Sequence, residues 1–399
     1  MPWGGAKALT LILALCALTP LSCSRDRPGT SSEGLASPQP LTVTLVWHLG
    51  VSPSGKWLTF ESMLRRGPEV AWSVSWLLPA TGGPPQPLEP ALLASSFPVW
   101  SPTTDEIAYV RVGETSAVRL GSPKAAEPRL SLDFGNLWLG QLCWSPDGSK
   151  LACLATDLTQ RRRDPVLIDL PTGERHFARL GVPATVSPLL FGPQGDALLF
   201  AREGAPLSPG REPRLHFMEA GTTATEMKEV GAVEATLCQV AVPVGEWFLL
   251  QLLHYPPGAT DPQAQPRKEL ALFRPGDPPV FTSLGDGSFA SAQSLRRRDG
   301  HLELVFERGG DLFLLPLAPP STSSVEPVGG EGLTRLTETA EPEAGAIFAS
   351  DGQGLYYVRS TGPQVPPTEV VFRNLSDMQE TVLARVTPEL VKEAGVPSP

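Results

Sequence analysis

A turn followed by an apolar strand recurs seven times along the chain at a nearly constant interval, and no other feature restricts the fold so strongly. Ser52-Pro53-Ser54-Gly55 leads into Trp57-Leu58-Thr59-Phe60, and Ser145-Pro146-Asp147-Gly148 leads into Leu151-Ala152-Cys153. Weaker copies begin at Ser101 with Pro102, Gly192 with Pro193 and Gly195, Val242 with Pro243 and Gly245, Arg297 with Asp299 and Gly300, and Ala349 with Asp351 and Gly352. Successive copies are offset by 49, 44, 47, 50, 55 and 52 residues. Proline presets φ at the second turn position, aspartate bonds its own backbone, and glycine accepts a positive φ, so each copy reverses the chain. The chain holds 44 Pro and 38 Gly and shows no long helical period, which points to short strands joined by turns. Strand-only repeats of this length read as propeller blades, because a four-stranded blade must bury both faces against its neighbours.

Seven copies predict seven four-stranded blades, with six blades plus an extra hairpin as the rival. Trp100, Trp144, Phe191 and Phe348 stand just before four of the turns and are expected in the core. The last blade is expected from residues 345–349, 354–359, 368–373 and 380–386. An open ring would expose a sheet edge, so residues 41–47 (LTVTLVW) are expected to pair with the C-terminal strands and close it. Thr387-Pro388 then reads as a helix N-cap with proline at the first helical position, and Gly395 as the stop.

The turn-plus-strand unit, SPDG in its strongest copy, resembles the propeller repeat of the TolB family and its WD40-like relatives. The resemblance spans about residues 41–386 as a pattern and speaks to fold more than to function. It implies a periplasmic propeller that binds a protein or peptide. TolB proteins carry an α/β domain ahead of a six-bladed propeller, whereas here a strand-like segment follows the N-terminal region almost at once.

That N-terminal region has its own signature. Lys7, an apolar run at 8–18 and small Ser22 before Cys23 have the layout of a secretory signal. The run is about 11 residues long, short of the roughly 20 that span a bilayer. Leu21-Ser22-Cys23 resembles a bacterial lipobox, which implies cleavage after residue 22 and lipid attachment at Cys23. Residues 23–40 are rich in Ser, Pro and Gly, the composition of a tether. The expected division is therefore a signal at 1–22, a tether at 23–40, a propeller at 41–387 and a short helix with its tail at 388–399. Ser24 resembles the outer-membrane sorting pattern, so a lipid-anchored protein on the periplasmic side is expected, with the outer membrane favoured.

Composition and motifs narrow the chemistry. Acidic residues number 42 against 32 basic, which disfavours nucleic acid as a partner. The histidines at 48, 176, 216, 254 and 301 show no metal-ligand spacing, and no Gly-x-Ser-x-Gly elbow or phosphate loop is present. No cofactor or metal is assigned. Asp147, Asp286, Asp299 and Asp351 read as turn formers rather than calcium ligands. Arg161-Arg162-Arg163 and Arg296-Arg297-Arg298 read as solvated loop charge, with a docking patch for an acidic partner as the alternative. Cys143 and Cys153 flank one hairpin on the expected same face; opposed they could bridge, but shifted by two residues they could not, and buried thiols are favoured.

These readings leave a monomeric, lipid-anchored scaffold that binds an envelope protein or peptide and is not an enzyme. The alternative is an enzyme or small-ligand receptor using the central funnel, with the insertions at 203–213 and 255–268 as candidate walls.

Overall fold

The computed structural model describes residues 40–66, 70–89, 94–125, 127–157, 159–160, 162–177, 186–192, 194–203, 214–221, 227–255, 266–276, 278–317, 332–362 and 365–395. The expected signal, Cys23 and the tether up to residue 39 lie outside the described residues, as do Pro193, Arg161 and nearly all of the two insertions.

Seven antiparallel four-stranded sheets follow one another along the chain, so the fold is all-β and a seven-bladed propeller. The strands are numbered β1–β28 in chain order, four to a blade. Blades 1 to 7 run over residues 41–87, 94–133, 138–177, 186–234, 237–286, 295–335 and 343–385. The blades open with β1 (Leu41–Val51), β5 (Ala94–Trp100), β9 (Trp138–Trp144), β13 (Val186–Phe191), β17 (Leu237–Val244), β21 (Leu295–Arg298) and β25 (Glu343–Phe348). The first strands of blades 1 to 5 touch in turn, as do those of blades 6, 7 and 1, and the first strand of blade 5 meets the 3-10 turn ahead of blade 6; together they form the inner wall of the ring.

The repeated turns join the first and second strands of each blade. Ser52, Ser101, Ser145, Gly192 and Ala349 each donate their N–H across the loop to the carbonyl five residues on, at 2.8–2.9 Å. Gly148 shows why glycine is needed: its φ is +72°, and a Cβ there would lie 2.7 Å from Thr103 Oγ1 of the preceding blade's turn. Asp299 and Gly300, both at positive φ, make a two-residue hairpin turn instead.

Hydrophobic clusters fill the spaces between blades, and Trp100, Phe191 and Phe348 are buried in them. Trp144 packs beside them, half-buried, with its ring N–H donated to the Val99 carbonyl at 3.1 Å. Helix α1 (Pro388–Glu393) is capped by Thr387, whose hydroxyl accepts the Leu390 N–H, and Gly395 has φ +70°. Val391 of α1 enters the cluster shared by blades 7 and 1.

The expected closure is corrected. β1 pairs with β2 (Trp57–Arg66) inside blade 1, and blade 7 is complete from its own four strands, β25 to β28 (Glu380–Arg385). No strand is exchanged, so blades 7 and 1 meet face to face through side chains. Ser350 Oγ donates to the Ser52 carbonyl at 2.7 Å. Gln293, in a 3-10 turn (Ala292–Ser294) ahead of blade 6, holds both backbone groups of Val51: it accepts the N–H at 2.9 Å and donates to the carbonyl at 2.6 Å.

The shared face expected for Cys143 and Cys153 is corrected as well. Cys143 stands opposite Ala152 in the ladder, so the two thiols point to opposite sides of the sheet and remain free. Burial pushes the Cys143 thiol up to about 12 and raises Cys153 and Cys238 too, which disfavours the thiolate at all three.

Candidate functional site

The inner strands are not regular. The ladders of β1, β5, β9, β13, β17 and β25 each break at a bulge: between Trp47 and Gly50, Ser96 and Val99, Gly140 and Cys143, Val186 and Leu189, Cys238 and Val240, and Ala344 and Ile347. A bulge leaves residues unpaired and re-aims their side chains. In blade 7 the bulge holds Gly345 at φ +66°, where glycine costs nothing. In blades 1, 2 and 3 it holds His48, Phe97 and Gln141 at φ +51°, +57° and +45°, a conformation that costs a residue with a Cβ of order 1–3 kcal/mol. Strain repeated at one place in three adjacent blades makes this wall the candidate site.

The re-aimed rings assemble. Neighbouring side chains of a strand point to opposite faces, yet the bulge stacks His48 on Trp47 with centroids 4.1 Å apart and planes 13° apart. His48 lies 5.9 Å from Phe97 of blade 2, and Phe97 meets Trp138 of blade 3 edge-on at 6.3 Å. The Arg163 guanidinium sits 5.9 Å from the Trp138 ring centre. All four aromatic residues are half-buried, so a continuous apolar shelf crosses three blades with its surface in part open.

One carboxylate supports the shelf. Glu61 on β2 has a fully buried side chain; its Oε2 lies 2.9 Å from His48 Nδ1 and its Oε1 accepts the Phe97 N–H. Glu61 therefore ties the bulge of blade 1 to that of blade 2. The His48 side chain is 37% exposed, and no hydrogen bond among the described residues uses its Nε2. Trp47 Nε1 is buried without a hydrogen-bond partner among the described residues. An imidazole fixed by a buried carboxylate can accept a hydrogen bond or take up a proton at its far nitrogen.

The turn residues singled out in the sequence gather elsewhere, in the loops between first and second strands. Ser54 donates to Asp105 of blade 2 from Oγ at 2.5 Å and from N–H at 3.1 Å. Asp147 accepts from the Ser145 hydroxyl and from the Ser149 N–H and hydroxyl, which holds its carboxyl down to about 2. Asp351 accepts the Gln353 N–H. Asp286, expected in a turn, instead ends the outer strand of blade 5 and faces Arg267 at 3.3 Å, and Asp299 is 3.7 Å from Arg298. Among the described residues no three His, Cys, Asp or Glu side chains gather as metal ligands do. Of the arginine runs, Arg296 bonds Glu303 and the Gly352 carbonyl, Arg162 bonds Asp164, and Arg297 and Arg298 are exposed. An open groove of about 500 Å³ lies at the outer edge of blades 2 and 3, lined by Asp133, Phe134, Arg175 and Phe177. It lacks the strained backbone of the inner shelf.

No protein-family model matches the sequence, and no curated protein matches it. Solved structures do. The β-propeller domain of the Trilobed protease from Pyrococcus furiosus, described as an open velcro topology, shares 12% identity and a TM-score of 0.53 over 86% of this chain and 98% of its own. Oligogalacturonate lyase from Vibrio parahaemolyticus shares 12% identity and a TM-score of 0.54 over 86% of this chain and 93% of its own. TolB from Acinetobacter baumannii shares 14% identity over 80% of this chain and 65% of its own, at a TM-score of 0.45. At these identities the likenesses speak to the fold alone. They also overturn one expectation. The expectation that the chain is not an enzyme rests on the absence of a catalytic constellation in the sequence, yet the fold is shared by a protease's propeller and by nearly the whole of a lyase, so that absence is no ground for excluding activity.

Proposed function

We propose that this chain is a cell-envelope propeller, tethered through lipid on Cys23, that binds an extended segment of a partner protein or peptide on the inner wall of blades 1 to 3. The observation that carries this reading is the shelf of Trp47, His48, Phe97 and Trp138, assembled from three blades at the expense of a strained backbone at His48 and Phe97. Aromatic rings in a groove supply large contact area with little side-chain entropy to lose, which suits recognition of extended peptides. The lipobox-like Leu21-Ser22-Cys23 and the resemblance of the repeat to envelope propellers support the location.

The test is photo-crosslinking in intact cells, with a benzophenone amino acid in place of Trp138 and, as a control, in place of exposed Phe177 at the outer edge. A discrete adduct from position 138 that is absent from position 177 is expected. Adducts from neither position, or only from 177, would remove the shelf as the binding surface. In the same cells Cys23→Ser should abolish fatty-acid labelling, and persistent labelling would refute the anchor. The His48–Glu61 couple favours a second reading, a small-ligand or enzyme site on the same wall; a small molecule that co-purifies and is lost on His48→Ala would support it.

A further inference from the structure

Glu61 is out of place in the repeat. It is the tenth residue of its turn copy, and the tenth residues of four other copies are Val110, Leu154, Ala201 and Val358. Each of those is buried and packs in the cluster shared with the following blade. A carboxylate in such a place opposes folding unless its oxygens are bonded, and even then an apolar residue of similar size is often the more stable choice.

Blade 5 shows what the position needs structurally. Its tenth residue is Gln251, 3% exposed, whose Oε1 accepts the Phe289 N–H at 2.9 Å and whose Nε2 donates to Gln239 Oε1 at 2.6 Å. Gln239 occupies the bulge between Cys238 and Val240. An amide thus suffices to tie a bulge to the innermost segment of the next blade. Glu61 makes the same two ties with one difference. An ionised carboxylate only accepts, so His48 must donate from Nδ1, and in the neutral imidazole Nε2 is then left without a proton.

We propose that Glu61 is a positioning residue that fixes His48 in the Nδ1–H form and presents Nε2 to the bound segment as an acceptor for one of its N–H groups. This rests on the reading of the shelf as a peptide site. Stacking on Trp47 holds the plane of the ring, and Glu61 holds its polarity. The polarity selects for a ligand with a donor beside an apolar face and against one that presents an acceptor there.

The experiment uses the full-length chain with 15N-labelled histidine and reads the ring nitrogens of His48. Wild type should show the proton on Nδ1. In Glu61→Gln the amide oxygen still accepts the Phe97 N–H while its NH2 donates to Nδ1, so the proton should move to Nε2. Glu61→Leu restores the apolar residue of the sibling blades but leaves the Phe97 N–H without its acceptor, so its melting temperature should fall, and the ring should revert to the Nε2–H form that free histidine prefers. Peptides selected on wild type from a phage-displayed random library should bind Glu61→Gln at least about ten-fold more weakly, since a donor then faces a donor. A proton that stays on Nδ1 in both variants, or selected peptides that bind all three alike, would each overturn the proposal. A library that yields no clone sensitive to Trp47→Ala would count against the peptide reading alone, because the ring spectra need no ligand.

Discussion

The two faces of blade 1 are built from opposite materials. Toward blade 7 the chain buries Leu58, Phe60, Leu64, Val74 and Trp76 against Ile347, Tyr356, Val358 and Val370, and the buried ring N–H of Trp76 reaches Ser62 Oγ at 2.7 Å. Toward blade 2 the apolar cluster shrinks to Leu77, Trp100, Ile107 and Tyr109, and Thr59, Glu61, Ser75 and Ser95 are fully buried beside it. Thr59 Oγ1, Ser75 Oγ, Trp100 Nε1 and Arg111 Nε find no partner among the described residues. Polar groups buried without partners each cost about 1–3 kcal/mol. The seam where the chain ends meet is therefore the well-sealed one, and the seam beside it, which carries Glu61 and the aromatic shelf, is the one that gives up stability. A ring that must close without exchanging a strand keeps its polar exceptions away from the closure.

The largest effect should come from removing β1. A chain beginning at Pro53 loses Leu41, Val46, Leu49 and Val51 from the sealed seam and bares the inner edge of β2, so it should aggregate or lose its cooperative thermal transition. A chain beginning at Gln39 should melt like the full chain, and equal melting of the two shortened chains would refute the role given to β1. Next come truncations on either face. Phe60→Ala should cost about 3–5 kcal/mol and Leu77→Ala about 2 kcal/mol in chemical denaturation, and a reversed order would show that the seams had been ranked wrongly.

Thr59→Val should be a gain. It removes a buried hydroxyl that has no partner and keeps its shape, so stability should rise by about 1 kcal/mol, whereas a loss would mean that the hydroxyl is bonded in solution. The smallest effect lies outside both seams. The Asp147 carboxyl, held down to about 2 chiefly by the Ser145 hydroxyl, favours the folded state above the ordinary aspartate range near 4 and loses that contribution as pH falls toward 2. Asp147→Asn should melt slightly below wild type at pH 7, and the gap should close between about pH 4 and pH 2. A gap that widens on acidification would have the sign wrong.

Blade number was legible because each turn copy carries its own chemistry, and the copies count the hairpins. The four strands assigned to the last blade also agree with the observed ones to within about two residues at each end. The closure was misread by setting the exposed-edge rule above that same counting. If every turn joins the first and second strands of one blade, the segment before Ser52 already belongs with Trp57–Arg66, and blade 7 has no room for a fifth strand. The shelf was invisible because nothing in the letters of Trp47-His48, Phe97 or Gln141 announces a left-handed backbone; it arises where seven first strands must curve around one axis. Glu61 was within reach. Written one under another, the turn copies show Glu61 and Gln251 as the polar tenth residues, and the structure gives both the same two ties.

Closure by side chains alone also sets an order of events in time. The apolar face of blade 1, with Phe60 and Trp76 at its centre, has its partner in residues 343–385, nearly three hundred residues further along the chain. At ordinary synthesis rates that face waits on the order of tens of seconds for blade 7, while each later blade can pack on a neighbour already made. The sealed seam of the finished ring is thus the longest-exposed surface of the growing one, and until blade 7 packs on blade 1 the molecule is a curved stack whose first end is open and apolar.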